Sequence, residues 1–304
     1  MTTTDLCHDA RMIDIGRVGL WTWLLDSLPT SGSLELALEL EEMGWPCLWR
    51  PESSGRDALI SSAQVLQATT RLTMATGIAQ IHGRHPVTTR NAQRTLHEAS
   101  GGRFLLGLGV SHAPFIEGVR KLDYSRPYSD MVDYLADMAD VPFTAVAADD
   151  EPPTIIAALG PKMLQLAAVA ADGAHPYFSP VEHTAVARDI MGDGPLLAPE
   201  LMVVVDDDRT RATEVATQHM ARYLALPNYT NNLKRHGFTD EDIAGPSERL
   251  IDAIVVRGSV DDVVARVGEH LDAGADHVCI QVLTTNDELP IRAWRDLADA
   301  FGLA

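Results

Sequence analysis

The chain has 304 residues, 46% of them hydrophobic and 22% charged, a composition typical of a soluble globular protein with a substantial core. Its 24 basic against 43 acidic residues give a formal net charge of −19, which argues against nucleic acids and anionic membranes as partners. Residues 1–11 lack the apolar core of a signal peptide and no apolar run approaches a membrane span, so we expect a cytoplasmic protein.

The first hundred residues alternate short apolar runs with amphipathic segments, a pattern that predicts strands alternating with helices. Strands are predicted at residues 16–24, 47–50 and 72–81. A helix is predicted after each of them, at residues 33–43, 57–69 and 87–100.

The stretch 101–115 contains the fourth predicted strand. A glycine turn leads into a continuous apolar run, which is typical of a strand buried on both faces. Gly107 and Gly109 stand near the end of the run, where they let backbone approach a flat or bulky ligand. Ser111 and His112 follow directly. Because ligands bind beyond the carboxyl ends of parallel strands, we expect the site here.

The second half continues the alternation. Strands are predicted at residues 153–159, 173–178, 201–205 and 277–283, and helices at residues 129–139, 163–171, 180–191, 209–226, 260–273 and 294–301. Residues 227–258 are predicted to be an insertion before the eighth strand, made of loops and one helix at 247–256. Eight strands alternating with helices indicate an α/β fold, a (β/α)8 TIM barrel, as a single domain over residues 1–304. A doubly wound open sheet is the alternative, but residues 16–23 lack its G-x-G-x-x-G fingerprint.

Several motifs of other enzyme classes are incomplete. Residues 109–113, Gly-Val-Ser-His-Ala, nearly match the G-x-S-x-G of hydrolases, but Pro114 argues against a helix directly after the serine. No lysine lies in a predicted strand, where a Schiff-base aldolase would need one. The cysteines at positions 7, 47 and 279 form no C-x-x-C pair, so neither a disulfide framework nor a zinc site is indicated.

Four histidines fall at or near predicted strand ends: His82, His85, His112 and His175. A metal site would need carboxylates or further histidines converging on them, so we predict no metal and interpret most of them as surface or hydrogen-bonded groups. For His112, beside the glycines of the fourth strand, a functional and a structural role are equally supported.

Glu52 and the segment 160–162 can each be interpreted in two ways. Glu52, at the end of the second strand, is either one half of a solvated ion pair with Arg50 or a group at the barrel mouth. Gly160-Pro161-Lys162 opens a helix whose free backbone N–H groups, together with the lysine, could hold an anion, although plain helix initiation needs the same residues.

The sequence resembles the luciferase-like monooxygenase superfamily, of bacterial-luciferase barrel fold, and within it the branch that uses the deazaflavin coenzyme F-420. The stretches that carry the resemblance span nearly the whole chain: 19–21 (GLW), 48–52 (LWRPE), 75–78 (ATGI), 102–112 (GRFLLGLGVSH), 160–164 (GPKML), 171–173 (ADG) and 274–278 (GADHV).

The resemblance implies an enzyme that transfers a hydride between F-420 and a small organic substrate, and a homodimer. It implies a flavin-like ring across the barrel mouth and a non-prolyl cis peptide at Gly77-Ile78. The implied contacts to the ring are Trp21, Glu52, Gly77, Ile78, Gln80, Gly109, Ser111 and His112. The implied contacts to the phosphate tail are Gly160, Pro161, Lys162 and Met163.

Within the resemblance, His112 would be the general acid or base, and Glu52 would orient the ring or the histidine. Relatives that oxidise a sugar phosphate have a glutamate at the position of His112 and a histidine at that of Ser53, so sugar-phosphate oxidation is not expected here. Two alternatives stay open: an FMN-dependent monooxygenase that uses reduced flavin and oxygen, and a barrel that binds cofactor without catalysis.

Overall fold

The computed structural model describes residues 13–303. Its strands are β1 (Val18–Trp21), β2 (Cys47–Arg50), β3 (Thr73–Thr76), β4 (Ala79–Gln80), β5 (Phe104–Gly109), β6 (Thr154–Ile156), β7 (Gly173–Ala174), β8 (Leu196–Leu197), β9 (Glu200–Val205), β10 (Val255–Gly258) and β11 (Val278–Val282). Short 3-10 helices lie at Leu24–Ser27, Ile81–Gly83 and Thr285–Asp287.

The α-helices are α1 (Thr30–Glu42), α2 (Ala58–Ala68), α3 (Pro86–Ser100), α4 (Ala113–Ile116), α5 (Pro127–Ala139), α6 (Pro161–Ala170), α7 (Val181–Met191), α8 (Arg209–Leu224), α9 (Pro227–Arg235), α10 (Asp240–Ala244), α11 (Glu248–Ile254), α12 (Val260–Asp272) and α13 (Ile291–Ala300). None of the helices in residues 13–303 is long and apolar enough to span a bilayer.

The strands form a closed ring, which confirms the predicted barrel. All pairings are parallel, and neighbours around the ring are β1, β2, β3 with β4, β5, β6, β7, β8 with β9, and β11, which returns to β1. β8 pairs with β7 while β9, two residues further on, pairs with β11, so one nearly continuous strand closes the ring. β3 and β4 are likewise one predicted strand, interrupted at the cis peptide bond between Gly77 and Ile78. The cis bond is where the resemblance placed it.

Local chemistry explains where several helices begin and end. Asp57 caps α2 by accepting hydrogen bonds from the backbone N–H groups of Leu59 and Ile60. α3 starts with Pro86 and ends at Gly101, which adopts the left-handed conformation that glycine favours. These signals are local in sequence, so the predicted bounds of both helices fall within one residue of the observed ones.

Residues 227–258 depart from the prediction. They contain three helices, α9, α10 and α11, and the strand β10, which pairs with β9, where the sequence predicted loops and one helix. α9 was missed because its sequence, PNYTNNLKR, is rich in asparagine, a weak helix former. The buried side chains of Tyr229 and Leu233 stabilise it through tertiary packing instead.

The chain forms a helix directly after His112, contrary to the prediction made from Pro114. α4 begins at Ala113, with Pro114 in its first turn. Proline is tolerated there because the first N–H groups of a helix have no partner within it. Ser111, at the turn before α4, has a positive φ of 61°.

Gly107 lets β3 and β5 approach closely, and Gly107→Ala should destabilise the fold by about 3 kcal/mol or more. A Cβ at Gly107 would lie 2.0 Å from the backbone oxygen of Thr76, an atom that cannot move without breaking the sheet. Gly268→Ala in α12 is the control, since no atom of residues 13–303 lies within 4 Å of its Cβ position and the helix should gain about 1 kcal/mol. Urea denaturation measures both changes, and equal midpoints would contradict the role of Gly107.

Candidate active site

A cavity of about 480 Å³ lies at the carboxyl ends of the barrel strands. Ten predicted site residues line it: Trp21, Glu52, Gly77, Ile78, Gln80, Gly109, Ser111, His112, Gly160 and Met163. They come from the ends of four strand units and from the start of α6, positions far apart in the sequence. The barrel therefore brings most of the predicted site together in one place.

Pro161 and Lys162 do not line the cavity. Lys162 is exposed, and the cation at this part of the rim is Arg235, on the last turn of α9. Its guanidinium nitrogens lie 3.8 and 3.9 Å from the position that a Cβ on Gly160 would take. Gly160, the N-cap residue of α6, has no side chain to cap the helix, so an arginine and an uncapped helix start face the same rim.

The floor of the cavity is built from glycines that have no room for a side chain. A Cβ on Gly77 would lie 2.7 Å from Trp21 Nε1 and 3.0 Å from His175 Nε2. A Cβ on Gly109 would lie 2.5 Å from the side chain of Ile78. The Trp21 indole donates a hydrogen bond of 3.0 Å to the carbonyl of Gly77, which fixes the tryptophan against the floor. The two glycines therefore leave room for the side chains of Trp21, His175 and Ile78, and together these residues form a floor on which a flat ligand can lie.

Glu52 is a buried carboxylate with its oxygens already engaged. Oε2 accepts a hydrogen bond of 2.7 Å from the backbone N–H of Gln80, and Oε1 forms an ion pair of 2.5 Å with Arg84. Arg120 lies 3.6 Å from the same oxygen. Arg50 pairs with Asp26 instead of Glu52, so the solvated Arg50–Glu52 pair considered from the sequence does not form. The carboxylate ties the end of β2 to β4 under the cavity.

His112 lies at the wall between β5 and α9. Its ring centroid is 5.4 Å from that of Tyr229, at an angle of 50°. Burial lowers the pKa of the imidazole, while a hydrogen bond with the Asn228 side chain acts in the opposite direction. The ring is therefore neutral near neutral pH and can accept a proton.

Sequence reasoning missed much of the opposite wall. The missed lining residues are His175, Tyr177, Tyr223, Asn228, Tyr229, Asn231 and Arg235. His175 was noted at a strand end but given no role, Tyr177 falls within the predicted strand 173–178, and the others lie on α8 and the unpredicted α9. The Tyr177 hydroxyl lies 2.7 Å from that of Tyr223 and donates a hydrogen bond of 2.9 Å to Gln281 Oε1, so the aromatic wall is held by a polar network.

Burial raises the pKa of Tyr223 to about 12, so its hydroxyl stays protonated at neutral pH.

Across residues 13–303, no group of three or more His, Cys, Asp or Glu side chains is placed to hold a metal ion. Of the cysteines, Cys47 and Cys279 are buried and free, and Cys7 lies outside the described residues. The cavity thus offers neutral donors and acceptors, aromatic rings, the ion-paired carboxylate of Glu52 and one rim arginine, Arg235.

The sequence matches a family model described as luciferase-like monooxygenase over residues 21–277. A Mycobacterium tuberculosis relative assigned to the coenzyme F-420-dependent oxidoreductases is 23% identical over 339 residues, which cover 91% of this chain and 97% of the relative.

Two solved structures have a similar fold. The F-420-dependent tetrahydromethanopterin reductase from Methanopyrus kandleri has a TM-score of 0.74 at 19% identity, covering 93% of this chain and 97% of its own. The oxygenating constituent of 3,6-diketocamphane monooxygenase from Pseudomonas putida, in complex with FMN, has a TM-score of 0.66 at 14% identity, covering 93% and 95%. At these identities, the two structures support the fold alone.

Proposed function

The chain belongs to the luciferase-like monooxygenase family, and from this premise we propose that it is an oxidoreductase that transfers a hydride between the deazaflavin coenzyme F-420 and a small organic substrate. The observation that carries the proposal is the cavity floor, where Gly77 and Gly109 add no side chain of their own beside Trp21, Ile78 and His175. The F-420-dependent assignment of the Mycobacterium tuberculosis relative favours the deazaflavin over FMN.

The residues of the cavity fit such a cofactor at both ends. The glycine floor and the rings of Trp21 and Tyr177, whose centroids are 5.1 Å apart, suit a planar ring system. Arg235 and the uncapped start of α6 suit a phosphate group, because both attract negative charge. When bound, F-420 would supply the hydride-accepting or hydride-donating carbon.

His112 is the protein group that we assign to proton transfer. An alcohol that loses a hydride also loses its hydroxyl proton, and a neutral imidazole in the wall can accept that proton and later release it. Glu52 would act indirectly, because its hydrogen bond to the backbone of Gln80 and its ion pair with Arg84 hold the floor in place. The barrel would exclude water from the reacting groups.

A binding titration of the wild-type protein with oxidised F-420 and with FMN, followed by fluorescence, tests the proposal. We expect F-420 to bind in the micromolar range or tighter and FMN at least tenfold more weakly. Preferential binding of FMN would support the flavin-dependent monooxygenase instead. If neither binds more tightly than about 1 mM, which corresponds to about 4 kcal/mol, the proposed function is wrong.

Arg235→Ala should weaken F-420 binding about tenfold, because it removes the cation at the rim of the cavity. Lys162→Ala is the matched control. It removes a cation from the start of α6, near which Arg235 lies, but the Lys162 side chain does not line the cavity. The loss in Arg235→Ala should shrink as salt is raised from 50 to 500 mM. A larger effect for Lys162→Ala would place the phosphate where the sequence predicted it.

A further inference from the structure

His175, directly after β7, is a buried histidine with one ring nitrogen in use and one without a partner. Its Nδ1 lies 2.7 Å from the carbonyl oxygen of Ala198, which can only accept, so Nδ1 carries the hydrogen. Nε2 is then a lone-pair acceptor, and it is buried with no hydrogen-bond partner among the described residues. Burial lowers the pKa of His175 to about 4, so the ring is neutral at physiological pH.

The ring of His175 cannot turn away to satisfy Nε2. It is stacked on Trp49 with centroids 4.7 Å apart and planes 18° apart, and the bond to Ala198 fixes its orientation. Nε2 lies 3.0 Å from the position of a Cβ on Gly77, at the floor of the cavity that His175 helps to line. The nearby indole N–H of Trp21 is already donated to the Gly77 carbonyl.

His277 provides a comparison within the same barrel. Its Nδ1 also lies against a backbone carbonyl, that of Gly16 at 2.8 Å, and the ring is fully buried. Its Nε2, however, accepts a hydrogen bond of 3.0 Å from the indole N–H of Trp49. Both histidines are buried with Nδ1 against a backbone carbonyl. They differ at Nε2, which receives a hydrogen bond from the protein in His277 but not in His175. Other buried histidines with an unpartnered nitrogen, such as His183 and His270, do not line the cavity.

We propose that His175 Nε2 accepts a hydrogen bond from the ring N–H of the bound cofactor and so sets the position of the ring on the glycine floor. An oxidised deazaflavin or flavin ring carries one N–H, on its pyrimidine part, and this donor matches the acceptor that the protein leaves free. The inference rests on the proposed function, because it needs a cofactor of this class in the cavity. His175 is then a cofactor-binding residue.

Three variants test this with oxidised F-420 as the probe. His175→Asn keeps an N–H near the position of Nδ1 but removes the acceptor at Nε2, and should weaken binding tenfold to a hundredfold. His175→Gln places an amide oxygen near the position of Nε2 and should bind within about threefold of the wild type. His277→Asn, the control for removing a buried histidine, should lower the urea midpoint and leave the affinity of the folded protein within about threefold.

An N3-methylated flavin gives a second readout. The methyl group removes the ring N–H, so wild type and His175→Asn should bind the methylated ring with similar affinity, although they differ for FMN itself. Equal F-420 affinity of wild type and His175→Asn would overturn the inference, and so would equal losses in His175→Asn and His175→Gln. If the wild type binds neither cofactor, the proposed function fails, and this inference fails with it.

Discussion

Glu200→Gln is expected to stabilise the protein by about 3 kcal/mol at pH 7 and by about 5 kcal/mol at pH 9, with little difference near pH 5. Glu200 is 1% exposed, accepts one hydrogen bond of 3.3 Å from the backbone N–H of Phe178, and has no partner at Oε1 among the described residues. Burial raises its pKa from 4.5 to about 8, against the lowering effect of that hydrogen bond.

The sign follows from the protons that each state binds. Between pH 4.5 and 8 the folded protein holds a proton on Glu200 that the unfolded chain has lost, so the stability of the wild type falls as the pH rises through this range. Glutamine can still accept the hydrogen bond from the Phe178 backbone and cannot ionise, so the variant does not lose stability as the pH rises through this range. Chemical denaturation at pH 5, 7 and 9 measures the difference between variant and wild type.

Glu35→Gln is the control for Glu200→Gln, because it removes an exposed carboxylate on α1. Its difference from the wild type should stay within about 0.5 kcal/mol at all three pH values. A Glu200→Gln difference that is constant with pH would contradict the raised pKa of Glu200, because the carboxyl would then ionise alike in the folded and unfolded protein.

The strand order and most of the helices could be predicted from the sequence because their signals are local. The apolar run before Gly109, the proline that starts α3 and the aspartate that caps α2 each act within a few residues. α9 could not be predicted in this way. Its helix depends on burying Tyr229 and Leu233 against elements that are distant in the sequence, and such packing overrides weak helix propensity.

The residues of the site also differ in whether a local sequence signal could place them. Residues at strand ends, such as Gly77, Gly109 and His112, could be placed at one edge because parallel strands align their carboxyl ends. Arg235 could not, because its position depends on α9 lying over the barrel mouth. The role inferred for His175 depends on Nε2 having no hydrogen-bond partner among the described residues, and no sequence pattern indicates this.

Gly77→Ala should weaken F-420 binding at least a hundredfold, equivalent to about 2.7 kcal/mol, and is the largest functional effect that we expect. The new Cβ would meet Trp21 Nε1 at 2.7 Å and His175 Nε2 at 3.0 Å. Both rings are held, Trp21 by its bond to the Gly77 carbonyl and His175 by its bond to Ala198, so the floor itself must shift into the cavity. The same overpacking should cost about 1–3 kcal/mol of stability.

Gly109→Ala tests a softer clash, since the nearest atoms to its Cβ would be those of the Ile78 side chain, at 2.5 Å, and the Cβ of Ala157, at 3.4 Å. The Ile78 side chain lines the cavity and can change rotamer to relieve the contact, so we expect an intermediate loss of about tenfold. Gly194→Ala, with no atom of the described part of the chain within 4 Å of its Cβ position, should change neither binding nor stability. If Gly77→Ala binds F-420 as tightly as Gly194→Ala does, the cofactor does not lie on the glycine floor, and the proposed function loses the observation that carries it.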